Sequence, residues 1–445
     1  MAAFLFRKPL HTFLERLFEF NSNMSSAEEI AQDASNIGAR ARAAYKMLAK
    51  TTKQQRSEAL FCMAENVKAN RAEILGENAK DMAQGVRDGL SAAMLDRLKL
   101  DAVRVDAIAS GLMEMAKQDD RLFEVIEEWS RPNGLIMQKV RIPIGVIGVI
   151  YESRPNVTAD AGGLCLRSGN AVILRSGSDA FLSSCAITKA LRAGLVQGGL
   201  PEDAIQIIPT TDRAMVGEML RGMCGAIDMI IPRGGKSLVA RVNDEAKVPV
   251  LSHLDGICHT YVHASADLEK SIKIILNAKM RRTGVCGATE TLLVDQAIAK
   301  EALPAICAAL ENASCELRGC EQAREIVPMQ AANEADWLAE YLAAIISIKV
   351  VNDIDEAIAH IANNGSGHTD AILTEDMAAA QKFLGEVDSA IVMHNTSTQF
   401  ADGGEFGFGG EIGIGTGRLH ARGPVGAEGL TTYKYVVRGS GQIRP

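Results

Sequence analysis

After residue 142 the chain alternates short β-branched runs with helical patterns, and this alternation restricts it to crossover units built on largely parallel sheets. The runs are AVILRS, AIQIIPT, AIDMIIPR, HTYVHA, TLLVD, IISIKVV, DAILTED and SAIVMHN. Their spacing is irregular and no stretch repeats, which argues against a solenoid. From about Ser26 to Gln118 apolar residues recur at helical spacing, as in ALFCMAENVKANRAEIL, so that region reads as a helical packing shell. Between the two lies GLIMQKVRIPIGVIGVIYESRP, in which residues 134–141 alternate like an exposed strand and 142–151 run apolar like a buried one.

A chain of 445 residues exceeds what one core supports, so two or three lobes are expected, one of them ending near residue 253. A formal charge of −8 offers no footprint for nucleic acid or an anionic membrane surface. Nine cysteines without a CxxC pair suggest neither a disulfide framework nor a zinc ribbon, and fit a reducing cytoplasm. No run approaches the roughly 18 apolar residues of a membrane span. The start, MAAFLFRKPLHTFLERLFEF, is basic and amphipathic but lacks a long apolar core, so residues 1–23 read as an N-terminal extension. Ser25 or Ser26 then caps the first helix.

Chemistry concentrates in a few turns. Cys286, in TGVCGATETLLVD, sits between Gly284 and Gly287 with Arg281 and Arg282 just upstream. The glycines admit a close substrate, and the arginines favour a thiolate or an anion. A buried, inert thiol is the alternative. In IGVIGVIYESRPNV a buried strand delivers Arg154 and Asn156 to a helix start, where Asn156 either donates to a developing oxyanion or caps the helix. Two further strand ends, Arg175, Ser176 and Ser178, and then Arg233, Gly234, Gly235 and Lys236, read as nucleotide-binding edges. No acidic residue ends the Arg175 strand, which favours a 2′-phosphate over a ribose hydroxyl. Walker-type and HExxH motifs are absent. His253, His259 and His263 fit no metal-ligand spacing, so no metal site is expected. His360 and His368 are acid-base candidates or, more plainly, surface or capping residues.

Taken together, SRPNV, SGNAVILRSGSDA, IDMIIPRGGKSLV, SHLDGICHTYV, TGVCGATETLLV, HIANNGSGHTDAI and FGFGGEIGIGTGRLHARGPVGAEGLTTYKY resemble the gamma-glutamyl phosphate reductases, a branch of the aldehyde dehydrogenase superfamily. The resemblance spans about residues 24–445. It implies an α/β, aldehyde-dehydrogenase-like fold: a Rossmann-type NADP-binding domain over 24–253 with arm strands at about 126–142, a catalytic domain over 254–388, and a glycine-rich substrate loop and oligomerisation strand over 389–445. It also implies NADPH-dependent reduction of L-glutamate 5-phosphate to the 5-semialdehyde with release of phosphate, the second step of proline synthesis. A homo-oligomer and functional coupling to glutamate 5-kinase are implied with it.

By the same resemblance Cys286 is the nucleophile and Asn156 an oxyanion donor. Arg175, Ser176, Ser178 and Arg233 to Lys236 hold the cofactor, and Glu340 its nicotinamide ribose. Hydrolytic relatives carry a glutamate base in LELGGK, where this chain has SHLDG and therefore His253, so water activation is not expected. The substrate anions then fall to Arg154, Arg281, Arg282, Arg418 and Arg422, and its ammonium to Glu405 or Glu411. Two alternatives remain: a CoA-acylating or hydrolytic aldehyde dehydrogenase, and a non-catalytic relative.

Overall fold

The computed structural model describes residues 27–444, so the expected N-terminal extension and the Ser25 or Ser26 cap lie outside the described residues. Two compact units emerge among the described residues: 27–251 with 426–444, and 252–425. Residues 389–425, grouped from the sequence with the C-terminal strand, thus belong to the second unit. Among the described residues no helix is long and apolar enough to cross a membrane.

The first unit opens with helices Ala27–Leu48, Lys53–Ala69, Arg71–Arg87, Ala92–Leu98 and Ala102–Lys117. Three of these starts are capped by side-chain oxygens. Thr52 and Gln55 form a reciprocal capping box, and Ser91 and Asp101 accept from the first turns of their helices. In the first helix Ile30, Ala34, Ile37, Ala41, Ala44 and Leu48 recur every three or four residues and are buried.

An antiparallel sheet follows: β1 (Val125–Ser130) pairs with β2 (Ile136–Pro143), and the C-terminal strand Thr431–Arg438 pairs along the other edge of β2. Asn170 fixes its root, accepting from Gly145 N–H at 2.8 Å and donating to the Leu430 carbonyl at 2.8 Å. The buried strand expected over 142–151 starts later, at Val146, because Ile142 and Pro143 end β2. The chain breaks at Gly145, where φ is 145° and an added Cβ would fall 1.9 Å from the Asp228 carboxylate.

Beyond that break β3 (Val146–Tyr151), β4 (Ala171–Ser176), β5 (Ile205–Ile207) and β6 (Met229–Arg233) form a parallel sheet in the order β5-β4-β3-β6. Every residue of β3 and β4 is buried, as expected of strands covered on both faces. The order reverses between β3 and β6, and at such a switch point a crevice opens beyond the strand ends.

The second unit holds seven parallel strands: β7 (Cys258–Val262), β8 (Thr289–Asp295), β9 (Glu316–Gly319), β10 (Gln330–Ala331), β11 (Ile345–Val351), β12 (Thr369–Leu373) and β13 (Ile391–His394), in the order β10-β9-β11-β8-β7-β12-β13. Alternate residues feed two cores. Leu292, Val294, Ile346 and Ile348 pack on one face, and Tyr261, Leu293, Ile372 and Phe383 on the other.

Helix packing in the first unit relies on one close approach. A methyl group on Gly194, in helix Phe181–Gln197, would lie 2.4 Å from Met63 Cα of helix Lys53–Ala69. Gly194→Ala should therefore lose about 1–3 kcal/mol of stability despite its better helix propensity, as measured by urea unfolding.

Candidate active site

In the first unit the ends of β3, β4 and β6 converge on the switch-point edge. Arg175 ends β4 almost fully buried; its Nη2 donates to the Thr211 carbonyl at 3.1 Å, while its Nε is buried without a hydrogen-bond partner. Burial pulls its pKa below the usual arginine range, with Glu152 opposing that shift. Gly234, Gly235 and Lys236 form the exposed turn after Arg233, and Ser178 is exposed beyond β4. Ser176 differs from the expectation: its hydroxyl points inward, donating to the Gly177 carbonyl at 2.9 Å and bonding Ser184 at 3.1 Å.

Glu152, just beyond the neighbouring strand β3, gives this edge a carboxylate that the Arg175 strand does not supply. It follows β3, and its Oε2 lies 3.5 Å from Gly235 N, close enough to Gly234 that an added Cβ would meet it at 2.7 Å. A buried guanidinium with an orphaned N–H, a glycine turn and a carboxylate at a switch point fit a dinucleotide. Asn156 begins helix Val157–Arg167 but makes no side-chain cap; its amide donates to Asp160 at 2.9 Å. Burial pushes the Asp160 carboxyl up to about 6, against the Asn156 hydrogen bond and the charge of Arg233.

In the second unit Cys286 is half-buried in the turn between helix Leu268–Met280 and β8. The turn is held from three sides. Lys279, on the last helical turn, forms a fully buried ion pair with Glu290 of β8. Burial drives the Glu290 carboxyl up to about 7, against the pull of Lys279. Gln399 donates to the carbonyls of Ala278 at 2.9 Å and Arg282 at 3.3 Å, and Thr398 bonds Thr289 at 3.0 Å.

The third support is Gly256. A Cβ there would sit 2.2 Å from the Cys286 carbonyl oxygen and 2.6 Å from Cys286 Cα, so only glycine lets the two backbones meet. Its N–H donates to Glu340 Oε1 at 3.0 Å, which draws the residue assigned by resemblance to the cofactor ribose toward the nucleophile's turn. The Cys258 thiol donates to the Cys286 carbonyl at 3.1 Å.

Two imidazoles face Cys286. The ligand atoms of His253, Cys286 and His368 all lie within 4.8 Å of one another. His253 Nδ1 is 2.9 Å from the Ile414 carbonyl, and its ring meets that of His368 edge-on at 5.1 Å. His368 is fully buried, not the surface or capping residue expected; burial, and then His253, hold its pKa down to about 3. His360 is likewise buried. His259 pairs with Asp370 at 2.8 Å and His263 with Thr374 at 2.9 Å, so the three sequence-adjacent histidines do not converge.

Of the expected anion binders, Arg281 and Arg282 are exposed beside the nucleophile's turn, with Arg281 3.3 Å from Gln399. Arg154 is half-buried at the end of β3. Arg418 and Arg422 instead pair with Asp388, Arg422 at 2.9 Å, and line a cavity of about 420 Å³ with Gly365, Ser366 and Gly367. Glu405 is exposed, and Glu411 accepts from Gly403 N–H at 3.0 Å. Sequence reasoning missed Glu152, Gly256, Gln399 and Asp388. Only Gly256, inside the SHLDG motif, carried a local signal.

The aldehyde dehydrogenase family model matches residues 22–346 and 337–436. The gamma-glutamyl phosphate reductase of Rhodospirillum rubrum is 60% identical over 411 residues, covering 92% of this chain and 96% of that protein. The crystal structure of gamma-glutamyl phosphate reductase from Thermotoga maritima is 46% identical, with a TM-score of 0.90 over 93% of this chain and 100% of that one. This chain belongs to the gamma-glutamyl phosphate reductases of the aldehyde dehydrogenase family. The family fold extends further: an acetylating aldehyde dehydrogenase from Geobacillus thermoglucosidasius superposes with a TM-score of 0.66 at 16% identity, covering 95% of this chain and 100% of that one.

Two outcomes test how this family member holds its thiol. Gly256→Ala should fold yet lose turnover on the order of 100-fold, because the Cys286 backbone must shift. Lys279→Met should cost about 3–5 kcal/mol in urea unfolding by stranding a buried carboxylate, and adding Glu290→Leu should recover about half or more of that loss.

Proposed function

We propose that this chain reduces L-glutamate 5-phosphate to L-glutamate 5-semialdehyde with NADPH, releasing phosphate. The observation that carries the reading is the company of Cys286: an imidazole, His253, stands within 4.8 Å of the thiol at the point where hydrolytic relatives place a glutamate base. An acyl phosphate needs no activated water, since its leaving group departs already charged. Cys286 attacks the acyl carbon as thiolate, the carbon–oxygen bond to phosphate breaks with its electron pair on phosphate, and a thioester remains on sulfur. NADPH, when bound, supplies the hydride that reduces this thioester. The resulting thiohemiacetal collapses, releasing the aldehyde and returning the electron pair to sulfur.

Arg175, Ser178 and the Arg233 to Lys236 turn are the groups proposed to hold the dinucleotide, with Arg175 meeting a 2′-phosphate. Asn156 keeps its assignment as oxyanion donor, and Arg281 and Arg282 are proposed to receive the substrate anions. The antiparallel sheet presents exposed Val125, Ile126, Tyr433, Tyr435 and Val437, which supports its use between copies of the chain. Because the substrate is a reactive acyl phosphate, direct supply from glutamate 5-kinase is part of the same reading.

Run in the oxidative direction, the enzyme should reduce NADP with the semialdehyde only when inorganic phosphate is present. Cys286→Ser should abolish that activity and leave NADPH binding, followed by fluorescence, unchanged. Activity that needs CoA, or neither CoA nor phosphate, would assign the chain to another chemistry of the family.

A further inference from the structure

We propose that His253, Cys286 and His368 form a zinc-binding site that reversibly sequesters the nucleophile. Their donor atoms lie within 4.8 Å of one another inside one unit of the fold. Imidazole nitrogen and thiolate sulfur are the donors that a borderline-soft d¹⁰ cation prefers, and three protein ligands with one open position is a stable zinc arrangement. With zinc–sulfur near 2.3 Å and zinc–nitrogen near 2.0 Å, tetrahedral ligation needs sulfur–nitrogen separations of about 3.5 Å. Rotation about χ1 of the half-buried Cys286 would bring its sulfur to that separation while the anchored imidazoles stay in place.

The second observation is an orphaned donor. His368 is fully buried and its Nε2 has no hydrogen-bond partner, a costly state for a buried polar atom unless something else satisfies it. Its Nδ1 is 2.9 Å from the Thr369 hydroxyl. The tautomer that donates from Nδ1 to Thr369 leaves a lone pair on Nε2. His253 is oriented in the same way, since Nδ1–H donation to the Ile414 carbonyl at 2.9 Å leaves Nε2 as its ligating atom. Ring N–H groups anchored on protein oxygens are the outer partners that metal-ligating histidines require. Binding releases the Cys286 thiol proton to solvent and occupies the sulfur lone pair that would attack an acyl group, so a zinc-loaded chain is inactive until a chelator removes the ion.

The test uses full-length protein and zinc ion alone. Zinc should bind at one equivalent per chain in competition with a chromophoric chelator, and should slow iodoacetamide alkylation of Cys286, read by peptide mass spectrometry, at least 10-fold. Chelator should restore the rate. Cobalt should show a thiolate charge-transfer band with tetrahedral d–d bands. Cys286→Ser and His368→Gln, checked for fold by circular dichroism, should each weaken zinc binding at least 10-fold. The proposal is overturned if zinc-saturated wild type alkylates Cys286 at the metal-free rate, or if folded Cys286→Ser binds zinc as tightly as wild type. Neither readout depends on which acyl substrate the enzyme takes.

Discussion

The buried ion pair between Lys279 and Glu290 is the constraint around which the Cys286 turn is arranged. Two opposite charges without solvent exposure hold each other in place, so separating the helix that ends at Met280 from the strand that starts at Thr289 would strand a buried charge. Everything between them, including Cys286, is a short closed turn with fixed ends. The second oxygen of Glu290 accepts from Leu342 N–H at 3.3 Å, which ties down the segment carrying Glu340. Glu340 in turn accepts from Gly256. A continuous set of contacts therefore runs from the ion pair to the glycine beneath the nucleophile.

Polar groups organise the first unit by a different route. There β3 and β4 are buried along their whole length, and function gathers where the strands stop. Three parallel strands end on one edge, and their next residues, Glu152, Gly177 and Gly234, become neighbours although each pair is separated by a crossover. Glycine marks the closest approaches. At Gly145 a side chain would displace Asp228, whose carboxylate accepts from Val146 N–H at 2.8 Å and so begins β3.

Much of this was legible locally. The alternation of strand and helix patterns after residue 142 announced parallel crossover sheets, because a strand covered on both faces must be apolar throughout. Cys286 was legible as a candidate thiol because glycines and arginines adjoin it in the chain itself, and the family resemblance marked it as the nucleophile. Glu152 was not, since its relation to Arg175 is lateral across a sheet and leaves no trace in spacing. His368 read as a capping or surface residue because its neighbours in GSGHTD are small and polar, yet the sheet buries it completely. Arg418 and Arg422 read as free anion binders because Asp388, which neutralises them, lies on a different element.

The amino-acid sequence by itself determined the element types and the two strand-end glycine turns, which follow from short-range periodicity and adjacency, and singled out Cys286 as the candidate thiol. Tertiary structure alone decided what surrounds that thiol. His253 and Gly256, in the loop before β7, and His368, just before β12, reach Cys286 from different parts of the chain, with Glu340 held on Gly256, and only the pairing order of a seven-stranded sheet sets which distant residues become neighbours. Strand order is a choice among packings of similar local propensity, settled by burial over the whole core and not by any one segment.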